Sequence, residues 1–564
     1  MTPPHIEELN MGTSFVRSPE LSPKLSHRTS DSIDLAPDAS SSNRFLNDTD
    51  LKAEIDTGVV SEQYFSFKKL WTYAGPGLLM SIAYLDPGNL ESDLQAGAVA
   101  GYSLLWLLFW AHVTGKSFSE PPLLLRFIFG VASSSHVANN SLAGLLFQVL
   151  SARLGTVTGK HLAQLIRRHY SRPIRIVLYC FTQTAIIGAD IMEIVGTAIA
   201  LRIILNIPLW AGVLLTATDT ITFSLVQYYG MRKLEALFMA LIAIMAVCFW
   251  VEMIMARPEV ASIFEGIVLP LVPEGSIIQA VGMLGAVVMP HNMFLHSALV
   301  QSRDLGPSPS IRKLKEANFY FAIESALALL VSFLINLAIV VCFGQVFYDE
   351  NVGANIDLPG LYDAGDVLSR TLGSGARYFW AAGLLAAGQS STTTGMMAGG
   401  FALEGFFRPI FKKAWHRVAI TRAVSLVPSM LVSIFAVQHF DTMGELLNVL
   451  QSLCLPTALI PILKLSASTY VMSSEFQVSN VMYAICWSLA GVVIVFDIFL
   501  FTTYLNELPH VWIAIVLGVT YLGFIGYLVR LPLLEKESED GWMSIPQHEI
   551  DDDDEEQLHG TENQ

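Results

Sequence analysis

Apolar runs of about twenty residues, each long enough to cross a bilayer, recur along this chain from residue 69 to residue 530. This recurrence restricts the fold more than any motif does. In hydrocarbon the backbone polar groups must be satisfied within their own segment, so each run is read as a helix. The spans fall near 69–98, 102–112 with a continuation after an interruption, 173–203, 209–228, 234–256, 276–302, 317–346, 371–404, 417–438, 444–467, 479–503 and 510–530. With 53% hydrophobic and only 15% charged residues, the chain is too poor in charge for a soluble protein of 564 residues. The expected class is an all-α polytopic membrane protein with about twelve transmembrane helices.

The net charge of −16 belongs to the ends. Residues 1–65 carry −6 and residues 535–564 carry −11, so the span-bearing middle is close to neutral. Both ends are polar and acidic and are read as disordered cytosolic tails flanking a transmembrane domain at 66–534. An acidic tail does not recruit nucleic acid, and no nucleic-acid partner is expected. The five cysteines (Cys180, Cys248, Cys342, Cys454, Cys486) all lie in apolar runs without a C-x-x-C pair, and are read as small buried hydrophobes. Residues 1–65 hold no apolar stretch of the signal-peptide kind. Basic residues cluster after every second span: Arg167, Arg168, Arg172 and Arg175; Arg232 and Lys233; Arg303, Arg312, Lys313 and Lys315; Arg408, Lys412, Lys413 and Arg417. The positive-inside rule places those loops and both termini in the cytosol.

Span 2 is interrupted. Residues 104–112 begin an apolar run that 142–154 would complete, and 113–141 between them hold Lys116, Glu120, Arg126 and a serine run. The apolar piece 123–132 is too short to span. Excising the segment restores one helix, so it reads as a translated intron or gene-model error; the alternative is a native re-entrant or loop insertion.

Two spans carry a proline at their middle. The first break is Asp86-Pro87-Gly88-Asn89, and the second is Met289-Pro290-His291-Asn292. Proline removes a helical hydrogen bond and clashes with the carbonyl four residues back. In a membrane such damage persists only where the freed groups are buried in protein or line a polar cavity. Side chains able to ligate a cation sit at both breaks: Asp86, Asn89 and Met289, with His291 or Asn292 as further candidates. Two broken helices at matching places in two halves are the pattern of a secondary-transporter site near the bilayer midplane.

These residues resemble the NRAMP proton-coupled divalent-metal transporters, in their eukaryotic branch. The likeness rests on Asp86-Pro87-Gly88-Asn89, on 285–296 (GAVVMPHNMFLH) and on 388–395 (GQSSTTTG). It extends to Val157-Thr158-Gly159-Lys160, to Gly188-Ala189-Asp190-Ile191-Met192-Glu193 and to Leu450-Gln451-Ser452-Leu453, over 66–530 apart from 113–141. The resemblance implies a LeuT-type fold: two inverted five-helix repeats, each opening with a broken helix, plus two C-terminal helices. The pairs Asp86/Met289, Pro87/Pro290 and Asn89/Asn292 occupy equivalent places in spans 1 and 6. At Gly400 the chain departs from the pattern, where a polar Gln is expected.

The implied activity is proton-coupled import of Fe²⁺ and Mn²⁺, with Cd²⁺ and Co²⁺ also carried, by alternating access. The cargo is metal and proton; no resident cofactor and no enzymatic activity are expected. Asp86 supplies charge, Asn89 an amide oxygen, and Met289 a soft thioether that favours transition metals over Ca²⁺ and Mg²⁺. A lone buried Met is ordinarily packing; its place beside a helix break opposite an Asp points to a ligand. The resemblance nominates the Ala286 carbonyl, and in span 10 favours Asn448 over Gln451. For the proton, Asp190 and Glu193 share one face of span 3. His291 and His296 follow the second break, and the resemblance adds Arg422, with Arg417 as a substitute. Structural salt bridging is the plainer role for Asp190, Glu193 and Arg422. The 388–395 stretch reads as a small-residue helix interface. Competing functions are a LeuT-type carrier of an organic substrate such as an amino acid, and a non-transporting metal sensor. The expected location is the plasma membrane or an endosomal or vacuolar membrane. The lipid bilayer is one partner, and trafficking machinery could meet the tails.

Overall fold

In the computed structural model, residues 53–54, 65–113, 144–218, 231–306, 308–348, 360–407, 414–435, 440–505 and 511–534 are described. The chain divides into Met1–Ala39, wholly outside those residues, and Ser40–Gln564, which holds everything below. Most of both expected tails and, apart from Val113, the interruption at 113–141 lie outside the described residues. From the expected N-terminal tail, β1 (Ala53–Glu54) pairs in parallel with β2 (Arg303–Asp304).

Span 1 comprises α1 (Phe67–Tyr73), α2 (Pro76–Ile82) and α3 (Pro87–Ala100). Span 2 comprises α4 (Leu105–Val113) and α5 (Gly144–Thr158), followed by the connecting helix α6 (Leu162–His169). Spans 3, 4 and 5 are α7 (Arg172–Leu205), α8 (Leu209–Thr216) and α9 (Met231–Ala256); a short helix α10 (Val260–Val268) follows. The second half of span 4 falls outside the described residues. Span 6 is α11 (Ile277–Val287) plus α12 (Pro290–Leu299), and span 7 is α13 (Ile311–Phe347). After α14 (Leu361–Leu372) come spans 8, 9 and 10: α15 (Ala376–Phe406), α16 (Ala414–Phe435) and α17 (Phe440–Ala467). Spans 11 and 12 are α18 (Asn480–Leu505) and α19 (Val511–Arg530). Among the described residues, six helices are long and apolar enough to cross a membrane individually.

The packing follows an exchange of the two halves. Span 1 packs on span 7, and span 6 packs on span 2. Span 3 packs on span 10, and span 8 packs on span 5, while spans 3 and 8 pack on each other. Each contact has a counterpart with the first five and second five spans interchanged, as a repeated unit requires. The interior is apolar between these helices, with Phe249, Phe343 and Trp380 fully enclosed. Val247, Ile254, Val495, Trp512 and Val519 point outward, the orientation expected of side chains that face lipid.

Two expectations need correction. Cys180 is exposed, unlike the other four cysteines, because it lies on the outward face of α7. Part of Tyr348–Asp366, whose acidic residues read in the sequence as a loop between spans 7 and 8, is helix α14, whose Leu361, Ala364 and Leu368 recur at helical spacing and are buried.

Candidate functional site

The first break spans Ala83 to Asp86, between α2 and α3. Its freed carbonyls are met by side chains from two other spans. Asn292 Nδ2 of span 6 donates to the Ala83 carbonyl at 3.3 Å. Ser332 Oγ and Asn336 Nδ2 of span 7 donate to the Tyr84 carbonyl at 3.2 and 3.1 Å. Pro87 starts α3, where its missing N–H costs nothing. Asp86 caps that helix: its Oδ1 accepts from the Asn89 backbone N–H at 3.0 Å and from Asn89 Nδ2 at 2.5 Å.

The remaining oxygens are left open. Asp86 Oδ2, Asn89 Oδ1 and Asn448 Oδ1 are buried and have no hydrogen-bond partner among the described residues. A Cβ built on Gly88 would stand 3.2 Å from Asp86 Oδ2 and 3.2 Å from Asn448 Oδ1. The two oxygens therefore border one small space that glycine keeps clear. Asn448 Nδ2 lies 3.4 Å from the Gly88 carbonyl, which turns its oxygen towards that space. Buried acceptors without partners are costly, and a water or a cation between them would satisfy them.

Span 6 reaches the same place. Ala286 and Met289 are fully or nearly fully buried, and Met289 caps α12 ahead of Pro290. Gly285, next to Ala286, lies against span 10: a Cβ there would meet the Asn448 carbonyl at 3.2 Å and Ser452 Cβ at 3.0 Å. The other span 10 candidate, Gln451, is buried with its amide unpartnered, but its Cγ faces Gly188 of span 3. Asn292 is committed through its nitrogen to the first break, and its Oδ1 stays unpartnered.

The expected proton-path acids form a separate cluster. Asp190 and Glu193 are buried in span 3 and bracket Gly395 of span 8, whose Cβ would meet Asp190 Oδ1 at 2.6 Å and Glu193 Oε2 at 3.3 Å. Ser425 of span 9 donates to Asp190 Oδ2. Gly388 of the same small-residue stretch lies against Thr197 and the Glu193 carbonyl, so span 8 packs closely on span 3 there. The acid cluster connects to the first break by packing: a Cβ on Gly196 would stand 2.6 Å from Pro87 Cβ. His291 and His296 are buried, and neither His296 nitrogen has a partner among the described residues. Arg417 and Arg422 lie on α16, but their side chains fall outside the described residues.

A second joint in span 1 lies between α1 and α2, at Gly75-Pro76-Gly77. Gly75 takes φ +144°, which an L side chain rarely adopts. Glu324 of span 7 accepts from the N–H groups of Gly75, of Gly77 at 2.9 Å and of Leu78 at 3.1 Å. On the other side of the joint, Arg232 donates to the Ala74 and Thr72 carbonyls at 2.7 and 2.8 Å. Arg303 donates to the carbonyls of Tyr73, at 3.2 Å, and Ala74. Glu235 of span 5 pairs with both arginines, at 2.6 Å to Arg303 and 3.1 Å to Arg232. A carboxylate inside the apolar run of span 7 was the available signal for Glu324.

The sequence matches the family described as natural resistance-associated macrophage protein-like over residues 77–120 and 135–503. It is 44% identical over 474 residues to the "Metal transporter nramp1 homolog" of Dictyostelium discoideum, covering 84% of this chain and 82% of that one. It is 41% identical over 531 residues to the dog "Natural resistance-associated macrophage protein 1", covering 88% and 91%. Among solved structures, the Eremococcus coleocola manganese transporter, in complex with an aromatic bis-isothiourea substituted compound, aligns with a TM-score of 0.69 at 26% identity. That alignment covers 86% of this chain and 97% of the other.

Proposed function

The chain belongs to the Nramp family, and from that premise we propose that it imports divalent transition metals into the cytosol by proton-coupled alternating access. Family membership makes it a multi-pass membrane transporter and not an enzyme. The cargo proposed is Fe²⁺ and Mn²⁺, with Cd²⁺ and Co²⁺ accepted, and both termini face the cytosol.

One observation carries the reading: the unpartnered buried oxygens of Asp86 and Asn448 on either side of Gly88, beside the open Asn89 oxygen. Asp86 supplies the negative charge that a dehydrated cation needs. Asn89 and Asn448 add neutral oxygens, Ala286 a backbone carbonyl, and Met289 a polarisable sulfur. An organic zwitterion would place its carboxylate against Asp86, which is unfavourable. Asp190 and Glu193, with His291, His296 and Arg422, are assigned to the proton. Asp190 and Glu193 border Gly395 while the cation oxygens border Gly88, which supports two routes, and the Gly196–Pro87 contact would make movement at the break felt in span 3.

The test is Mn²⁺ uptake into proteoliposomes with and without an inward proton gradient. Uptake stimulated by the gradient, with acidification of the lumen, is expected. Uptake indifferent to the gradient removes the coupling, and absence of uptake removes the metal-transport assignment.

A further inference from the structure

Asp497 is a buried carboxylate for which the transport reading has no use. It sits in span 11, outside the ten spans related by exchange, and is 1% exposed. A carboxylate at such a depth is expensive and calls for a partner. No Lys or Arg among the described residues pairs with it. Its polar neighbours are on spans 10 and 12: Ser452 Oγ donates to Asp497 Oδ1 at 2.6 Å, and the Tyr521 hydroxyl stands beside the same carboxylate. Tyr521 of span 12 donates its hydroxyl proton to the next carbonyl along, that of Leu453, at 2.8 Å. Spans 11 and 12 thus grip two consecutive residues of span 10 from outside.

Those residues lie where span 10 is weakest. Pro456 is inside the helix. It has no N–H for the carbonyl four residues earlier, which belongs to Ser452, and its ring presses against that carbonyl. A helix loosened at Ser452 would leave the preceding turn free to bend. That turn carries Asn448, one helical turn before Ser452 and on the same face. Gly285 of span 6 rests on both, 3.2 Å from the Asn448 carbonyl and 3.0 Å from Ser452 Cβ when extended by a Cβ. The residue after Gly285 is Ala286. Displacing Ser452 would therefore shift one proposed ligand directly and press on the neighbour of another.

We propose that Asp497 is a positioning residue for the cation site, holding the Asn448 turn of span 10 in register across the Pro456 defect through its hydrogen bond with Ser452. Span 11 then sets the affinity of a site to which it contributes no ligand. The proposal rests on the metal-transport reading above.

The experiment measures Mn²⁺ uptake kinetics of Asp497→Ala, Ser452→Ala, Asp497→Asn, Asn448→Ala and the double variant Asn448→Ala/Asp497→Ala, all in reconstituted vesicles. Asp497→Ala and Ser452→Ala should each raise KM about tenfold, the usual penalty for losing a group that orients a metal ligand, while Vmax changes little. Asp497→Asn keeps an oxygen for the Ser452 hydroxyl and should restore KM. The double variant should be no worse than Asn448→Ala alone, since the brace acts only through that ligand turn. Wild-type uptake with unchanged KM in Asp497→Ala and Ser452→Ala overturns the proposal and leaves the transport reading intact. Additive losses in the double variant, or no rescue by Asn, reduce Asp497 to packing and overturn it as well. Wild-type vesicles that take up no metal defeat the transport reading and this proposal with it.

Discussion

Span 1 bends twice, and the two joints are built on opposite principles. At Ala74–Gly75 the backbone N–H groups meet Glu324, the carbonyls meet Arg232 and Arg303, and Glu235 balances both arginines. At Ala83–Asp86 the backbone carbonyls are also met, by Asn292, Ser332 and Asn336. There, however, side-chain oxygens of Asp86, Asn89 and Asn448 are buried and left open. Both joints interrupt a membrane helix, so an interruption alone does not identify a binding site. The difference lies in the accounting of polar atoms. At Gly75 the backbone groups are met by charged side chains, and what is left over is one acceptor, Glu324 Oε2, and one donor, Arg303 Nη1; at Asp86 the atoms left over are acceptors, which is what the proposed cation site needs.

The largest effect should come from removing the charge at the open joint. Asp86→Ala deletes the only carboxylate among the proposed ligands. Mn²⁺ and Cd²⁺ uptake should fall to background while the purified protein keeps its elution profile and helical circular dichroism. Uptake near the wild-type rate would mean that the surplus oxygens are not the cation site, and the contrast between the joints would lose its meaning.

The closed joint should fail differently. Arg303→Ala leaves Glu235 buried with only the half-exposed Arg232 as partner and frees the Tyr73 carbonyl. Breaking a buried pair from one side costs about 3–5 kcal/mol. The expected result is a looser N-terminal end of span 1, read as faster thiol labelling of a cysteine placed at Thr72, with cation selectivity unchanged. Labelling at the wild-type rate would show that the charges decorate the joint without holding it.

Gly88→Ala sharpens the comparison at the open joint without altering its charge. The added methyl enters the space bordered by Asp86 Oδ2 and Asn448 Oδ1, at 3.2 Å from each. Overpacking of this kind costs about 1–3 kcal/mol, which corresponds to roughly tenfold weaker Mn²⁺ binding by calorimetry. Binding unaffected by the methyl would place the cation elsewhere along the break.

The two joints also differ in how far they could be read without coordinates. The joint at Ala83–Asp86 was legible because its signals are adjacent in sequence: a proline at the middle of an apolar run, with Asp and Asn on either side. At the joint at Gly75 the sequence holds only a turn signal, Gly75-Pro76-Gly77. The charges there come from Arg232, Glu235, Arg303 and Glu324, more than a hundred residues away, and local periodicity carries no information about them. Arg232 and Arg303 entered only as cytosolic positive charge. The choice between Asn448 and Gln451 was similarly closed to spacing, since residues three apart share a helix face. Only the packing turns Asn448 to Gly88 and Gln451 to Gly188. Helix α14 was missed because its acidic residues suggested a loop, while its apolar stripe needed a neighbour to bury it.

The smallest expected effect tests the chemistry of the open joint, and Met289 carries it. In Met289→Ala the hard ligands remain: Asp86, Asn89, Asn448 and a backbone carbonyl. Mn²⁺ is content with oxygen donors, so its uptake should persist. Cd²⁺ gains far more from sulfur than Mn²⁺ does, so it should compete less well. Removing a buried thioether also leaves room for a water, which suits the strongly hydrated Ca²⁺ and Mg²⁺. Ca²⁺ should therefore compete better against Mn²⁺ in the variant than in the wild type. The measurement is paired competition of Cd²⁺ and Ca²⁺ against Mn²⁺ uptake in both proteins. If neither competitor changes, Met289 packs the second break without touching the ion, and discrimination must come from the oxygens and the size of the space over Gly88.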